Sequence, residues 1–281
     1  MSVKVITDTI SDISADVAEL YDIEILPIDY LIDDTYISAS DLGLDYMVKW
    51  IRENKVTPSI KGISTETYVK TFERYVKQGM EIVCITADSG IVSNYDTACH
   101  ASTRFTEANI HVIDSRQIST SIGLMAIEAA DMAKQGESAN AIAIRFERTS
   151  DKIKQFGLAD SVEFLQYSGY CPKIVAFGSS LLKAKFEFSV YENQNFDVKM
   201  AGNSMAKALN SYFSDVFKNV KNIDSKRIFM VYTFSDEEFF ADLYKRVVAL
   251  DYFEDIIVCG ASLHTNSLYG SNGISIAYKL K

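Results

Sequence analysis

The chain has 281 residues, 48% of them hydrophobic, and a formal charge of −10 at neutral pH. That apolar content fills one large or two medium cores, and the length favours two α/β domains over one. The acidic balance argues against a nucleic-acid partner, because phosphate binding needs a clustered cationic surface and only short, interrupted basic stretches occur.

Taken in chain order, Val3 to Thr7 reads as a strand, followed by Ser11 or Asp12 as the N-cap of a helix carrying Ile13, Val17 and Leu20. Residues 23–32 read as one extended run, in which Pro27 fits an edge or a strand start. Helical spacing returns over 45–54 through Tyr46, Met47, Trp50 and Ile51, and again over 64–76 with Ser64 or Thr65 as a cap. Between those helices, Ile60 to Ile63 is expected to be a loop. Strands at 82–86 and 110–113 alternate with helices at 93–104, 118–135 and 139–149. Such alternation predicts a mostly parallel sheet flanked by helices.

The region after residue 150 is less regular, and the last third changes character. Residues 181–191 and 196–200 read as extended and are joined by a hairpin-type connection. Helices are expected at 204–218 and 237–250, and strands at 227–233 and 255–259. The predicted architecture is therefore an N-terminal α/β domain over 1–155 and a C-terminal mixed α/β domain over 156–281. Cys84, Cys99, Cys171 and Cys259 are scattered without a CxxC pair, so neither a zinc site nor a disulfide framework is legible. The opening residues have too few apolar side chains for a signal peptide, and no apolar run reaches ~18 residues. A cytoplasmic protein with no membrane span, cofactor or metal is the expectation.

The most informative stretch runs from Gly79 to Tyr95, a buried-looking strand entering a polar turn and then a helix. In open α/β sheets, small ligands bind beyond the carboxyl ends of strands, which points to Asp88 through Asn94. There Ser89, Ser93 and Asn94 are interrupted by Ile91 and Val92, a mixed lining that suits an amphiphile better than a nucleotide. The plain structural alternatives are a helix cap for Ser93 and Asn94, a solvated loop lysine for Lys61, and core packing for Ile60 and Val92. Asp8 ends the first strand and reads as ordering its own turn. His100 and His111 read as structural, whereas His264 follows a strand exit and is open to a ligand role. Cys99 beside His100 is a poor nucleophile pair, since adjacent helical residues point in different directions.

The stretch from Val5 to Asp12 resembles the opening Thr-Asp-Ser-Thr-Ala-Asp signature of the DegV family. Ile25 to Ile28, Gly79 to Ala98, Val112 to Gly123, Val162 to Leu165 and Leu181 to Lys185 are similar to successive DegV segments in the same order. The resemblance implies a two-domain α/β carrier from the bacterial fatty-acid kinase system. Such a carrier is not itself an enzyme. It buries a long-chain fatty acid such as palmitate in a tunnel between its domains and presents the carboxylate to a separate fatty-acid kinase.

Position by position, the usual carboxylate-binding threonine becomes Ile60, and the second such hydroxyl falls on Val92. The Gly-Gly-Arg-Ile-Ser motif is represented by Ser168 to Pro172, with Tyr170 in place of arginine, and the kinase-facing arginine aligns near Ala201. The C-terminal His-x-Gly-Pro-Gly aligns on Leu268 to Asn272, which leaves His264 four residues upstream. The contacts expected for an acyl head group are thus Ser59, Ile60, Lys61, Ser89, Val92, Ser93, Asn94 and His264. Two other readings remain open: a pseudo-carrier that keeps the fold but has lost acyl binding, and a small-molecule enzyme using His264 and Asp8.

Overall fold

The computed structural model describes residues 2–169, 184–191, 195–233 and 237–281. Tyr170 to Pro172 of the replaced arginine motif, and residues 181–183 of the expected extended segment, lie outside the described residues. The chain divides into two compact units, Met1–Leu42 with Pro58–Asp151 and Gly43–Thr57 with Lys152–Lys281.

The first unit begins with β1 (Val3–Asp8), whose six residues are all buried, and α1 (Ala15–Tyr21). Helix α1 starts at Ser14, later than expected, because Thr9–Ser11 forms a 3-10 turn in which the Asp8 side chain accepts from Ile10 N. The extended run over 23–32 is two strands, β2 (Ile23–Leu26) and β3 (Asp29–Ile32), in different sheets. Pro27 stands between them, where its missing N–H ends an edge strand without breaking a central ladder. Strand β4 (Thr35–Ser38) pairs with β3, and α2 (Leu44–Asn54) is the excursion into the second unit.

Of the expected loop Ile60 to Ile63, Ile60 and Lys61 instead belong to β5 (Ser59–Lys61), antiparallel to β3 in the register Tyr30 to Ile60. Then follow α3 (Thr65–Val76), β6 (Glu81–Thr86), α4 (Asn94–Ser102), β7 (Ile110–Asp114), α5 (Thr120–Lys134) and α6 (Ala139–Thr149). The main sheet has the order β2-β1-β6-β7 and is parallel throughout. The apolar run Ile82 to Ile85 of β6 is what burial on both faces of a parallel sheet requires, and β1 is buried throughout although Lys4, Thr7 and Asp8 interrupt its apolar residues. Helix α5 packs against β1 and β6 and is buried along nearly all of Thr120 to Ala130, so its sequence is apolar all round instead of on one stripe.

The second unit continues with β8 (Ile153–Ala159) and α7 (Glu163–Ser168), filling the stretch that read as irregular. A hairpin of β9 (Lys185–Tyr191) and β10 (Asn195–Gly202) follows, then α8 (Met205–Val216), β11 (Ile223–Tyr232), α9 (Glu237–Ala249), β12 (Asp255–Gly260), α10 (Leu263–Tyr269) and β13 (Ile274–Leu280). The sheet order is β10-β9-β8-β13-β11-β12, with only β11 and β12 parallel. Leu209, Tyr212, Ile228, Met230, Leu243 and Ile276 anchor one core cluster here.

Within this sheet, Gly157 of β8 faces the ring of Phe188 across the β8–β9 ladder. A Cβ there would lie 2.0 Å from that ring, and Phe188 is held by Phe196 and Tyr269 at centroid separations of 5.9 and 4.7 Å. Gly157→Ala is therefore expected to destabilise the protein by about 1–3 kcal/mol through overpacking, read as a lower urea midpoint with an unchanged slope.

Candidate functional site

The turn after β6 is built by local hydrogen bonds. Asp88 Oδ1 accepts from Gly90 N at 2.7 Å, and Ile91 N donates to the Asp88 carbonyl, so the aspartate shapes the turn that follows it. Ser89 is turned toward the end of β7: its amide and hydroxyl donate to Asp114 Oδ1 and Oδ2 at 3.2 and 2.6 Å. Val92 is buried. Ser93 occupies the N-cap position of α4 yet makes no capping hydrogen bond, and its side chain is exposed at the amino end of that helix.

Asn94 is fully buried, and both ends of its amide are engaged. Its Oδ1 accepts from Ile63 N at 2.8 Å, while its Nδ2 donates to Asp8 Oδ2 at 2.9 Å. Asp8 also accepts from Ile10 N and Ala87 N, at 2.9 and 3.2 Å. Burial pushes the Asp8 carboxyl above its ordinary range, and the bonds from Asn94, Ala87 and Ile10 oppose that rise by favouring the anion. One side chain thereby fixes β1, the start of α4 and the segment leaving β5.

Gly62 completes the junction. A Cβ at Gly62 would lie 2.8 Å from Ser93 Oγ, 3.0 Å from Asn94 Oδ1 and 3.1 Å from Val92 Cγ2, so the absence of a side chain is what lets this backbone approach the turn. On β5 itself, Ser59 and Lys61 are exposed and Ile60 is half-buried. The Lys61 ammonium lies 4.5 Å from the centroid of the Tyr36 ring, a cation–π contact of about 0.5–1 kcal/mol at an exposed position.

The structure thus brings Val92, Ser93 and Asn94 against Gly62 and Ile63, the residues that leave β5, and directs Ser89 to Asp114. His264 belongs to the second unit, on α10, whose N-cap Ser262 accepts from Thr265 N. Both ring nitrogens of His264 are buried without a hydrogen-bond partner among the described residues, and burial pushes its pKa down to about 4. The imidazole is accordingly neutral at physiological pH. Of the other histidines, His111 Nε2 bonds Asn109 Oδ1 at 2.9 Å and His100 is exposed. Burial pushes the Cys99 thiol up, away from the thiolate a nucleophile needs.

Cavities lie elsewhere within each unit, among them one of about 440 Å³ beside Met80, Arg104 and Phe105 and one of about 370 Å³ beside Phe156 and Tyr278. Sequence reasoning missed the link between Asp8 and Asn94, which are 86 residues apart. Asp8 carried a signal as a strand-ending acid, but nothing local pairs it with a distant amide.

A family model described as an uncharacterised protein family, DegV, matches residues 2–280. A DegV domain-containing protein of Clostridium perfringens is 26% identical over 221 residues, covering 77% of this chain and 78% of the relative. Among solved structures, a DegV family protein from Thermus thermophilus described for its fatty acid binding superposes with a TM-score of 0.82 at 20% identity, covering 100% of both chains. The Streptococcus pneumoniae Fatty Acid Kinase B3 protein loaded with linoleic acid gives 0.82 at 18% identity, again over 100% of both chains. At these identities the structural likeness establishes the fold.

Two outcomes follow from the geometry. Asn94→Ala leaves the Ile63 N–H unpaired and removes a donor from buried Asp8, so it is expected to destabilise the first unit by about 1–3 kcal/mol, whereas Ser93→Ala stays within about 0.5 kcal/mol; urea unfolding measures both. His264 binds its proton more readily unfolded, at 6.5, than folded, at about 4. Its contribution is therefore present above pH 6.5 and lost as pH falls through that window, by about 3 kcal/mol in all. Subtracting the stability–pH curve of His264→Gln from that of the native protein isolates this slope.

Proposed function

The chain belongs to the DegV family, and on that footing we propose that it binds a long-chain fatty acid, with the carboxylate received at the amino end of α4. The observation that carries this reading is Ser93: an exposed hydroxyl that makes no capping bond at a helix N-terminus, preceded by apolar Val92 and closed on one side by the bare backbone of Gly62. A helix N-terminus offers oriented N–H groups and partial positive charge to an anion. Lys61 supplies a nearby cation, and Ser59 a second exposed hydroxyl. Asn94 and Ser89 act one step back, holding the turn in place.

Magnitudes favour retained binding despite the two hydroxyls lost at Ile60 and Val92. Burying ~15 methylenes at ~0.8 kcal/mol each supplies roughly 12 kcal/mol of gross driving force before association and ordering costs. Two neutral hydrogen bonds contribute only about 1–3 kcal/mol together. In this reading the chain works in the cytoplasm as a carrier, not a catalyst, and presents the acyl carboxylate to a separate fatty-acid kinase. Among the described residues no helix is long and apolar enough to cross a membrane.

A specific observation favours the pseudo-carrier as the second reading: Asn94, Ser89 and Lys61 all have partners within the fold, which thins the donors left for a head group. Organic extraction of the purified protein followed by mass spectrometry separates the two. A co-purifying long-chain fatty acid is expected; none, together with no thermal shift on adding palmitate, would leave only the pseudo-carrier. Ile60→Thr restores a hydroxyl while keeping the β-branch that suits a strand. It is expected to tighten palmitate binding by about 1 kcal/mol, roughly fivefold, in a fluorescent fatty-acid displacement assay.

A further inference from the structure

The second unit holds an acidic pocket, open at Asp197 and Asp215 and floored by buried Glu187, that the acyl-carrier reading does not use. On the side of the sheet facing α8, Glu187 of β9 stands opposite Lys199 of β10 and Leu158 of β8, and Ser189 stands opposite Asp197 and Phe156. Two cavities, of about 370 and 140 Å³, share Phe156, Ser189, Asp215 and Val216 as lining, so they adjoin beneath α8. The larger falls within the ~300–1,000 Å³ typical of small-molecule sites.

The inner cavity is lined by Glu187, Asp197 and Asp215, with Lys199 as its cation. The Lys199 ammonium bridges Glu187 Oε1 and Asp215 Oδ2, so one positive charge serves two carboxylates. Glu187 is 6% exposed, and its other oxygen, Oε2, is buried with no hydrogen-bond partner among the described residues. A buried carboxylate oxygen calls for a donor, and a charged one forms the stronger bond. Around it are aromatic walls whose own polar atoms are already satisfied: Tyr212 OH donates to the Phe156 carbonyl and Tyr278 OH to the Val216 carbonyl. Lys154 and Lys218 line only the outer cavity. No group of three or more His, Cys, Asp and Glu among the described residues is arranged for a metal ion, which favours an organic cation.

We propose that this pocket binds a small protonated amine on a short apolar or aromatic stem, its ammonium donating to Glu187 Oε2 and its stem lying against Phe156 and Tyr212. Benzylamine, benzyl alcohol and benzoate serve as probes, followed by amide chemical shifts of the isotope-labelled protein. Benzylamine is expected to give saturable shifts at Ser189, Lys199 and Asp215, at least about tenfold tighter than benzyl alcohol, with no response to benzoate. Glu187→Gln should weaken benzylamine at least about tenfold while keeping the native amide spectrum elsewhere. Ser189→Leu, which fills the shared wall and leaves Glu187 in place, should abolish the response. Equal binding of benzyl alcohol, an unchanged affinity in Glu187→Gln, shifts confined to Ile63 and Ser93, or no saturable shift at all would each overturn the proposal.

Discussion

The first unit depends on a single buried amide. Asn94 has no access to solvent, so each of its polar atoms must find a partner inside the fold or lose the hydrogen bonds it had in water. It finds two that lie far apart in sequence, the Ile63 N–H and the Asp8 carboxylate. Asp8 in turn gathers Ala87 N and Ile10 N, so the ends of β1 and β6 and the start of α4 are held by one charge and three donors. The arrangement is cooperative, because a low-dielectric setting strengthens each bond while making any missing partner costly. Ser93 inherits its position from this junction: the neighbour before a fixed Asn94, pressed against the bare backbone of Gly62, it presents a hydroxyl at a helix end without contributing to the helix cap.

That separation between holding and contacting resolves an ambiguity in the turn. A polar residue near a strand end can serve the fold or a ligand, and the same residue types do both. Here the hydrogen bonds divide the labour, with Asn94 buried against Asp8 and Ile63, Ser89 tied at the surface to Asp114, and Ser93 exposed without a capping bond. An acyl ligand asks little more of a head-group site than this. Its affinity comes from methylene burial, and the polar end has only to keep a carboxylate hydrogen-bonded and oriented. The same reasoning distinguishes the pocket under α8, where the unpaired group is an acid and the complementary ligand is a cation.

Most of the architecture was legible because it rests on periodicity. The apolar run in β6, the cluster of Val3, Val5 and Ile6 in β1 and the helical spacing in α2, α3 and α6 are local signals of burial, and they gave the right elements near the right positions. The failures lie where tertiary partners decide. Ser59 to Lys61 is a strand because β3 offers a ladder, and its three residues are too few to show alternation. Pro27 splits one apolar run between two sheets, a division that no count of apolar residues shows. Strand β13 closes the second sheet between β8 and β11 but was masked by the Gly and Asn residues before it. At the site, the turn itself and Asp8 as a turn-former could be read, since an aspartate bonding amides two residues on is a short-range device. Which of Ser89, Ser93 and Asn94 faced outward was not legible, because that depends on Asp8, Ile63 and Asp114, each more than twenty residues away.

In the proposed complex the acyl carboxylate rests on Ser93 at the amino end of α4. Palmitate labelled with carbon-13 at its carboxyl carbon tests it directly by nuclear magnetic resonance in the native protein and in Ser93→Ala. A bound carboxyl resonance distinct from free palmitate, and displaced in Ser93→Ala, is the expected result. A bound resonance identical in the two proteins would contradict it.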